Sequence, residues 1–150
     1  MRVILQRVTK ASVHIEGTVH AAIQHGLMLL AGFEADDTRD DLEWMCRKIL
    51  AMRIFPDDQG KMNHDIIESN GELLVISQFT LHASTRKGNR PSFIRAARPE
   101  IAIPLYESFV QMLENQSPCR VMSGVFGAEM DVHLVNHGPV TIMIDSKQRE

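Results

Sequence analysis

The sequence predicts a mixed α/β fold, an α+β domain that spans residues 1–150. Segments with the two-residue periodicity of strands occur in groups, and two segments with helical periodicity separate these groups. The resulting order of strands, helix, strands, helix and strands is typical of one mixed domain. The composition, with 44% hydrophobic and 23% charged residues, is that of an ordinary globular protein, and 150 residues suffice for one hydrophobic core.

The first part of the chain predicts strands. Apolar and polar residues alternate over residues 3–5 and again over residues 11–15, which indicates a pair of strands broken near Thr9-Lys10. Gly17 offers a turn before a strand at residues 19–23. The uninterrupted apolar run at residues 27–31 predicts a strand that is covered on both faces.

Two segments predict helices. One of the polar residues 36–38 can cap the first helix. The apolar residues of this helix recur at the spacing of one face, and they are Leu42, Met45, Cys46, Ile49 and Leu50. The second helix begins at Pro99, or nearer Ala102 if Pro104 is to lie in the first turn, where proline is tolerated. Its predicted buried face consists of Ile101, Leu105, Phe109, Met112 and Leu113.

The apolar run at residues 72–76 predicts the clearest buried strand in the sequence. It runs directly into the sequence Ser77-Gln78-Phe79-Thr80, so these residues lie at a strand end. A strand end is a place where a rigid scaffold can present main-chain N–H groups. Further strands are predicted at residues 120–123 and 130–135.

Charge and hydropathy narrow the possible functions. No apolar run approaches the roughly 18 residues of a membrane-spanning helix, and the N-terminus does not resemble a signal peptide. We therefore expect a cytoplasmic protein with no membrane partner, in which Cys46 and Cys119 stay reduced. The formal net charge of −3 argues against a general nucleic-acid coat, but residues 81–99 contain no acidic residue. Five basic residues there could hold a few phosphates or form a solvated loop, and they are Arg86, Lys87, Arg90, Arg95 and Arg98.

The sequence lacks the familiar hydrolase motifs. His133 and His137 are four residues apart, but no carboxylate or cysteine stands at ligand spacing on this predicted strand and turn, so no metal site is predicted. Thr80 and His82 would face the same side if the strand continued, which would put an imidazole beside a hydroxyl. Hydrogen bonding by Thr80 at a strand edge explains the pattern equally well, and both interpretations remain open.

The sequence Asn136-His137-Gly138-Pro139-Val140-Thr141 interrupts two alternating apolar runs. Gly138 can adopt backbone angles closed to other residues, and the bond before Pro139 can be cis or trans. The simplest interpretation is a tight turn between two strands. In a cis form, the carbonyl groups of residues 138 and 139 would point to the same side and form a small acceptor surface made of main chain alone.

Together with Ser77-Gln78-Phe79-Thr80-Leu81, this stretch resembles the D-aminoacyl-tRNA deacylases. The two signatures of that family are SQxTL and NxGP followed by an aliphatic or aromatic residue and Thr. The likeness also covers Leu5-Gln6-Arg7-Val8 and Arg90-Pro91-Ser92-Phe93, so it spans nearly the whole chain. Two signatures in the same order are far more specific than either alone. Three positions depart from the family pattern, namely His82, Ser84 and His137.

The resemblance implies a mostly antiparallel, barrel-like mixed sheet packed with two main helices, in a homodimer that needs no cofactor. It implies hydrolysis of the ester that joins a D-amino acid to tRNA, and also action on mischarged glycyl-tRNA. In the family, the Gly-Pro bond is cis, and each subunit inserts it into the pocket of its partner. Carried over, Gly138 and Pro139 would confront the α-carbon of the substrate beside Asn136 and Thr141, with Arg7 bracing the turn.

The same resemblance assigns the other side of the site. Four residues of the partner's strand end would form the catalytic side of the pocket, namely Ser77, Gln78, Phe79 and Thr80. Three residues would bind RNA, namely Arg86, Lys87 and Arg90. An L-residue would drive its Cβ into fixed main-chain oxygens, whereas a D-residue would point its side chain away, so the enzyme would select chirality and not side chain.

Two catalytic routes are open. In the first, Thr80 attacks the ester carbonyl and forms an acyl intermediate. In the second, the 2′-hydroxyl of the terminal adenosine activates water, and the N–H groups of Phe79 and Thr80 stabilise the oxyanion. We favour the second because no convincing base accompanies Thr80. The competing functions are a non-catalytic tRNA- or RNA-binding protein, which leaves Gly138 and Pro139 without a role, and a regulatory domain that binds free D-amino acids.

Overall fold

One long strand organises the sheet. The computed structural model describes residues 1–149, and Glu150, the last residue of the predicted domain, lies outside the described residues. The strands are β1 (Arg2–Ile15), β2 (Thr18–Ile23), β3 (Gly26–Gly32), β4 (Phe55–Pro56), β5 (Met62–His64), β6 (Glu72–Ser77), β7 (Val121–Ser123) and β8 (Asp131–Asp145). The helices are α1 (Arg39–Leu50) and α2 (Pro99–Gln116), and a short 3-10 helix covers Phe79–His82.

The sheet is mixed but mostly antiparallel. β2 and β3 pair antiparallel with the C-terminal and N-terminal halves of β1, and β8 pairs antiparallel along the opposite edge of β1. β6 is parallel to β3, and β7 is parallel to β6. The sheet curves into a nearly closed barrel, while β4 and β5 form a separate two-stranded ribbon. The predicted α+β class with a mostly antiparallel mixed sheet and two main helices is therefore confirmed.

Strands β3 and β6 are apolar at almost every position because each face lies against a different core. Leu27 and Leu29 of β3 belong to the core between the sheet and the two helices. Met28 of β3 and Leu74 of β6 belong to the core that the barrel encloses. This double burial explains why both sequences read as continuous apolar runs, and it confirms the two predicted buried strands.

The predicted break in β1 near Thr9-Lys10 is wrong, because the strand continues through it. Leu5 faces the helices and Val8 faces the barrel interior, as residues three apart in a strand should, but Ala11 also faces the interior. The alternation therefore changes phase at Thr9-Lys10, where the pairing with β8 also shifts register. A bulge, and not a strand end, produces the pattern that the sequence shows.

Helix α1 begins and packs as predicted. Thr38 precedes its first residue, and the carboxylate of Asp41 accepts hydrogen bonds from the Thr38 N–H (2.9 Å) and from the Lys147 ammonium (2.9 Å). Its predicted apolar face is buried, and Trp44 lies at the edge of that face, partly buried. The local sequence was sufficient here because capping residue and periodicity agree.

Helix α2 starts at the first of its two predicted positions, but its buried face differs in part from the prediction. It begins at Pro99, and Pro104 lies beyond the first turn on the exposed side, where the carbonyl without a helical donor can bond to water. The buried residues are Ala102, Tyr106, Phe109 and Leu113. Ile101, predicted to be buried, is 42% exposed. The helix is rotated because the hydroxyl of Tyr106 turns inward and donates to the carbonyl of Val75 (2.9 Å).

None of the helices within residues 1–149 combines the length and the apolar character that a bilayer crossing requires.

Asp41 should stabilise the fold in a pH-dependent way. Burial raises the pKa of Asp41, but hydrogen bonds from Thr38 and Lys147 outweigh burial and hold that pKa well below its ordinary value of 3.8. Because the pKa is lower in the folded chain than in the unfolded chain, the stabilisation is fully present above the ordinary value of 3.8. It is lost as the pH falls from 3.8 toward the folded-state pKa. Asp41→Asn should lower the free energy of unfolding by about 1–2 kcal/mol at neutral pH, as measured by urea denaturation.

The difference between the wild type and Asp41→Asn should shrink as denaturation is repeated at acid pH. The matched control is Asp40→Asn, because Asp40 is an exposed neighbour whose carboxylate pairs at the surface with Arg149 (2.9 Å). This control should change the free energy of unfolding by less than about 0.5 kcal/mol. A difference for Asp41→Asn that stays constant from neutral to acid pH would contradict the assignment.

Candidate active site

The parallel strands β3 and β6 end side by side, and a polar turn follows the carboxyl end of β6. The Gln78 N–H donates to the carbonyl of Ala31 (2.7 Å), which extends the pairing just past Ser77. The 3-10 helix follows immediately, and the first residues of a helix have no earlier carbonyl to bond. The N–H groups of Phe79 and Thr80 accordingly donate to no acceptor within residues 1–149. Two main-chain donors are therefore free at this strand end.

A cavity of about 290 Å³ opens beside the strand end. The residues Ser77, Gln78 and Phe79 line it. The other walls come from the end of β3, the junction between the preceding loop and α2, and the segment between β7 and β8, which contribute Gly32, Ala97, Ala102 and Phe126. A Cβ on Gly32 would lie 2.7 Å from the carbonyl oxygen of Gln78, so glycine is needed for this close approach. These four wall residues could not be predicted from the sequence, because isolated small or aromatic residues carry no periodic signal.

Thr80 and His82 do not face the same side, so of the two open interpretations the one that puts an imidazole beside the hydroxyl is excluded. The 3-10 helix replaces the continuing strand and turns His82 inward to 1% exposure, while Thr80 stays exposed. The hydroxyl of Thr80 accepts a hydrogen bond from the side-chain amide of Gln78 (2.5 Å). The Nδ1 atom of His82 instead lies 3.6 Å from the carboxylate of Glu34. His82 is therefore not positioned to take a proton from Thr80.

The stretch around Gly138 is a bulge within one strand, and the predicted tight turn between two strands is wrong. β8 runs through it, and the Gly138-Pro139 bond is cis. Residues 137–139, called the Gly-Pro bulge below, are exposed and lie where the pairing of β8 with β1 shifts register. Asn136 closes the base of the bulge, since its Oδ1 accepts from the Val140 N–H (3.2 Å) and its Nδ2 donates to the Thr141 hydroxyl (2.9 Å).

The guanidinium of Arg7 lies beneath the Gly-Pro bulge and is almost fully buried. Its Nε donates to the carbonyl of His137 (3.1 Å), and its Nη1 donates to the carbonyl of Ile54 (2.5 Å). Gly138 has a φ of +127°, and a Cβ there would lie 2.9 Å from Nη2 of Arg7. Both the backbone angle and the crowding therefore require glycine at position 138.

The region beneath the bulge is electropositive. Burial lowers the pKa of His25, and electrostatic interaction with His137 and Arg7 lowers it further. The ring of His25 packs edge-on against Phe55, with 5.1 Å between the ring centroids. Arg7 forms no ion pair with any carboxylate within residues 1–149. Its charge is therefore balanced by main-chain carbonyl dipoles.

The two sequence motifs lie apart within one chain. Arg7 contacts the Gly-Pro bulge, whereas Arg2 reaches the other motif by donating to the carbonyl of Leu81 (3.0 Å). Arg2 and Arg7 are five steps apart along β1, which puts their Cα atoms roughly 17 Å apart at the ordinary rise per residue. The cavity wall, in turn, includes no residue of the bulge. A single chain thus presents a cavity and a bulge as two separate features.

Residues 83–98, called the basic loop below, leave the 3-10 helix and lead to α2. Ser84 and Ser92 exchange two main-chain hydrogen bonds (2.8 and 2.9 Å) at its base. Arg95 donates to the carboxylate of Glu34 (2.8 Å), so this basic side chain is neutralised. The predicted RNA-binding residues are exposed and form no ion pair within residues 1–149, and they are Arg86, Lys87 and Arg90. The loop therefore offers unopposed positive charge.

The two histidines at helical spacing do not come together. The ring of His133 packs against that of His14 in the regular part of β8, with 4.4 Å between centroids, while His137 lies on the exposed bulge. Within residues 1–149, no group of three or more His, Cys, Asp and Glu residues is arranged to hold a metal ion.

Comparison with known proteins gives consistent matches along the whole chain. A family model described as D-Tyr-tRNA(Tyr) deacylase matches residues 4–145. The chain is 57% identical over 150 residues to a D-aminoacyl-tRNA deacylase of Bacteroides fragilis and 59% identical over 150 residues to one of Akkermansia muciniphila. Both matches cover 100% of this chain and 100% of the relative.

Solved structures agree with this fold. A structure described as "c-Myc DNA Unwinding Element Binding Protein" superposes with a TM-score of 0.92 at 41% sequence identity, and the match covers 97% of this chain and 98% of the other. A second structure, "Structural Analysis of a probable eukaryotic D-amino acid tRNA deacylase", gives a TM-score of 0.80 at 20% identity and covers 95% and 97% of the two chains. The second likeness is one of fold alone.

Proposed function

Because this chain belongs to the D-Tyr-tRNA(Tyr) deacylase family, we propose that it hydrolyses the ester bond of D-aminoacyl-tRNA and releases free amino acid and tRNA. The observation that carries the proposal is the end-to-end match, at more than half identity, to two D-aminoacyl-tRNA deacylases. The reaction removes an amino acid of the wrong configuration from tRNA, an intermediate of translation, so its setting is the cytoplasm. It needs no cofactor, because water can cleave an activated ester once the carbonyl oxygen is stabilised.

The active site of the proposed enzyme is shared between two subunits of a homodimer. The cavity beside Phe79 is open. The exposed Gly-Pro bulge lies beside residues 6–8 of β1, whereas the other motif is contacted by Arg2 at the start of β1. A site that needs both features therefore requires a second chain, which inserts Gly138 and Pro139 of one subunit into the cavity of the other. Symmetry would then give the dimer two identical sites, since the contact is the same in both directions.

Selection by chirality follows from the rigidity of the Gly-Pro bulge. The carbonyl oxygens of Gly138 and Pro139 lie against the α-carbon of the bound amino acid, and they cannot move aside because Arg7 and Asn136 hold the backbone of the bulge. The Cβ of an L-residue would collide with them, whereas the Cβ of a D-residue points away. Thr141 supports the bulge through the amide of Asn136. Glycine has no Cβ, so glycyl-tRNA is also accepted.

Catalysis proceeds through the substrate's own 2′-hydroxyl. This hydroxyl positions a water molecule for attack on the ester carbonyl, and the free N–H groups of Phe79 and Thr80 stabilise the negative oxygen that develops. Ser77 and Gln78 shape the cavity wall on the same side. Two observations argue against Thr80 as the nucleophile. Its hydroxyl oxygen already accepts a hydrogen bond from the Gln78 amide, and the buried His82 is turned away and cannot act as its base.

The basic loop binds the RNA part of the substrate. Arg86, Lys87 and Arg90 are exposed cations on the loop that follows the catalytic turn, so they can pair with phosphates of the acceptor strand. The same residues would serve a non-catalytic RNA-binding protein. That alternative, however, gives no role to a cavity with two free main-chain donors at its edge.

Purified protein should hydrolyse D-tyrosyl-tRNA at least about 100-fold faster than L-tyrosyl-tRNA, because rejection by collision with fixed backbone is steep. Glycyl-tRNA should also be cleaved. Loss of ester from the three substrates in single-turnover assays measures these rates. Equal rates for the two tyrosyl enantiomers would refute the proposed selection. Salt-sensitive binding without any loss of ester would favour the RNA-binding alternative.

The shared active site predicts that activity depends on dimer formation. Specific activity toward D-tyrosyl-tRNA should fall on dilution in parallel with dissociation of the dimer, since a lone subunit has a cavity without a bulge. Analytical ultracentrifugation gives the dimer fraction over the same concentrations. A monomer that retains full specific activity and full preference for the D-ester would exclude the shared site.

The two catalytic routes predict opposite results for two changes. Thr80→Ala should keep kcat within about tenfold of wild type, because only the side chain is lost and the main-chain N–H remains. A terminal 2′-deoxy tRNA should react at least about 100-fold more slowly. Deoxygenation of the penultimate nucleotide is the matched control and should have little effect. Abolished activity in Thr80→Ala, with normal cleavage of the deoxy substrate, would establish the nucleophile route instead.

A further inference from the structure

Two aromatic side chains lie exposed and in contact at the mouth of the cavity. Phe79 is 55% exposed and Phe93 is 38% exposed, and their ring centroids are 5.1 Å apart at an interplanar angle of 75°. Phenylalanine has no polar group that gains from contact with water. Two adjacent exposed rings therefore indicate a surface that binds a ligand or another macromolecule. The catalytic proposal uses only the main chain of Phe79, so it leaves both rings without a role.

The two rings are held in place by the structure around them. Phe79 begins the 3-10 helix that follows β6. Phe93 begins a turn closed by a hydrogen bond from the Ala96 N–H to its carbonyl (3.0 Å), and the ion pair of Arg95 with Glu34 anchors the same turn. The edge-to-face contact sets the mutual orientation of the rings, and both rings remain partly exposed to solvent. A ligand would therefore find this surface already formed.

The charge around the rings indicates the chemistry of that ligand. Phe93 belongs to the basic loop, whose sequence from residue 81 to residue 99 contains no carboxylate. Exposed aromatic rings beside exposed cations are the combination that binds unpaired nucleic acid, because bases stack on the rings and phosphates pair with the cations. An apolar peptide would match the rings but leave the cations unmatched.

We propose that the Phe79–Phe93 pair is a stacking platform for an unpaired base in the 3′ strand of tRNA, next to the terminal aminoacylated nucleotide. The inference rests on the proposed function, since it names how that substrate's RNA is held. The terminal nucleotide enters the cavity that Phe79 lines, the preceding base stacks on the aromatic pair, and the phosphates continue toward the cations of the basic loop.

The test compares two substrates that differ only in the RNA that reaches the platform. Phe93→Leu should raise KM for D-tyrosyl-tRNA about 5- to 100-fold without changing kcat. Its rate with D-tyrosyl-adenosine, which lacks every preceding base, should equal that of wild type. Phe93→Trp should restore the KM for the tRNA, because another aromatic ring can stack. The matched control is Ile94→Ala, which removes an exposed apolar neighbour (93% exposed) and should leave both substrates unaffected.

A second measurement does not depend on hydrolysis. Fluorescence anisotropy with an unacylated RNA hexamer that ends in CCA should show weaker binding by Phe93→Leu than by wild type or Phe93→Trp. Equal binding by all three would overturn the stacking platform. An equal loss of activity on D-tyrosyl-tRNA and D-tyrosyl-adenosine would also overturn it, because Phe93 would then act by supporting the catalytic turn. A wild type that binds the hexamer through Phe93 but cleaves neither ester would refute the proposed function and leave the platform standing.

Discussion

The arrangement of this protein depends on one buried charge. The guanidinium of Arg7 joins three segments that are distant in sequence, since it projects from β1 and donates to the carbonyls of Ile54 and His137. Burying such a charge is costly unless its donors are satisfied. Moving either carbonyl away would leave a guanidinium donor unpaired, so both carbonyls are held in place. A lysine could not replace it, because one ammonium group cannot reproduce the planar fork of an arginine. The Gly-Pro bulge is therefore fixed from within its own chain.

The other half of the candidate site has a different source of rigidity. The turn at Gln78 is tied to β3 by main chain, and β3 and β6 are packed on both faces by separate cores. Neither half relies on a mobile side chain for its shape. Two preformed main-chain surfaces suit a task in which the side chain of the substrate must be ignored and the configuration at its α-carbon must be read.

The sequence was informative where a single cause governs the local structure. α1 was predictable because its capping residues and its periodicity agree, and β6 was predictable because burial on both faces leaves no polar position inside it. The break in β1 was located correctly but misinterpreted, since a phase change in alternation does not distinguish a bulge from a strand end. The inward turn of His82 and the rotated face of α2 arise from tertiary contacts with Glu34 and Val75, which no local pattern encodes. The candidate site residues were proposed from motif likeness, whereas the alanines of the cavity wall left no signal.

The basic loop has a consequence for how the protein meets its partner. The whole molecule carries a formal net charge of −3, so a polyanion at long range is repelled on average. The loop reverses this within about one Debye length of the surface, roughly 8 Å at physiological ionic strength, because its cations have no carboxylate among them. A protein with this uneven charge acts as a dipole, so a polyanion such as the proposed substrate would approach the face that carries the basic loop. The electrostatic field then orients the encounter at long range and attracts a polyanion only close to the loop.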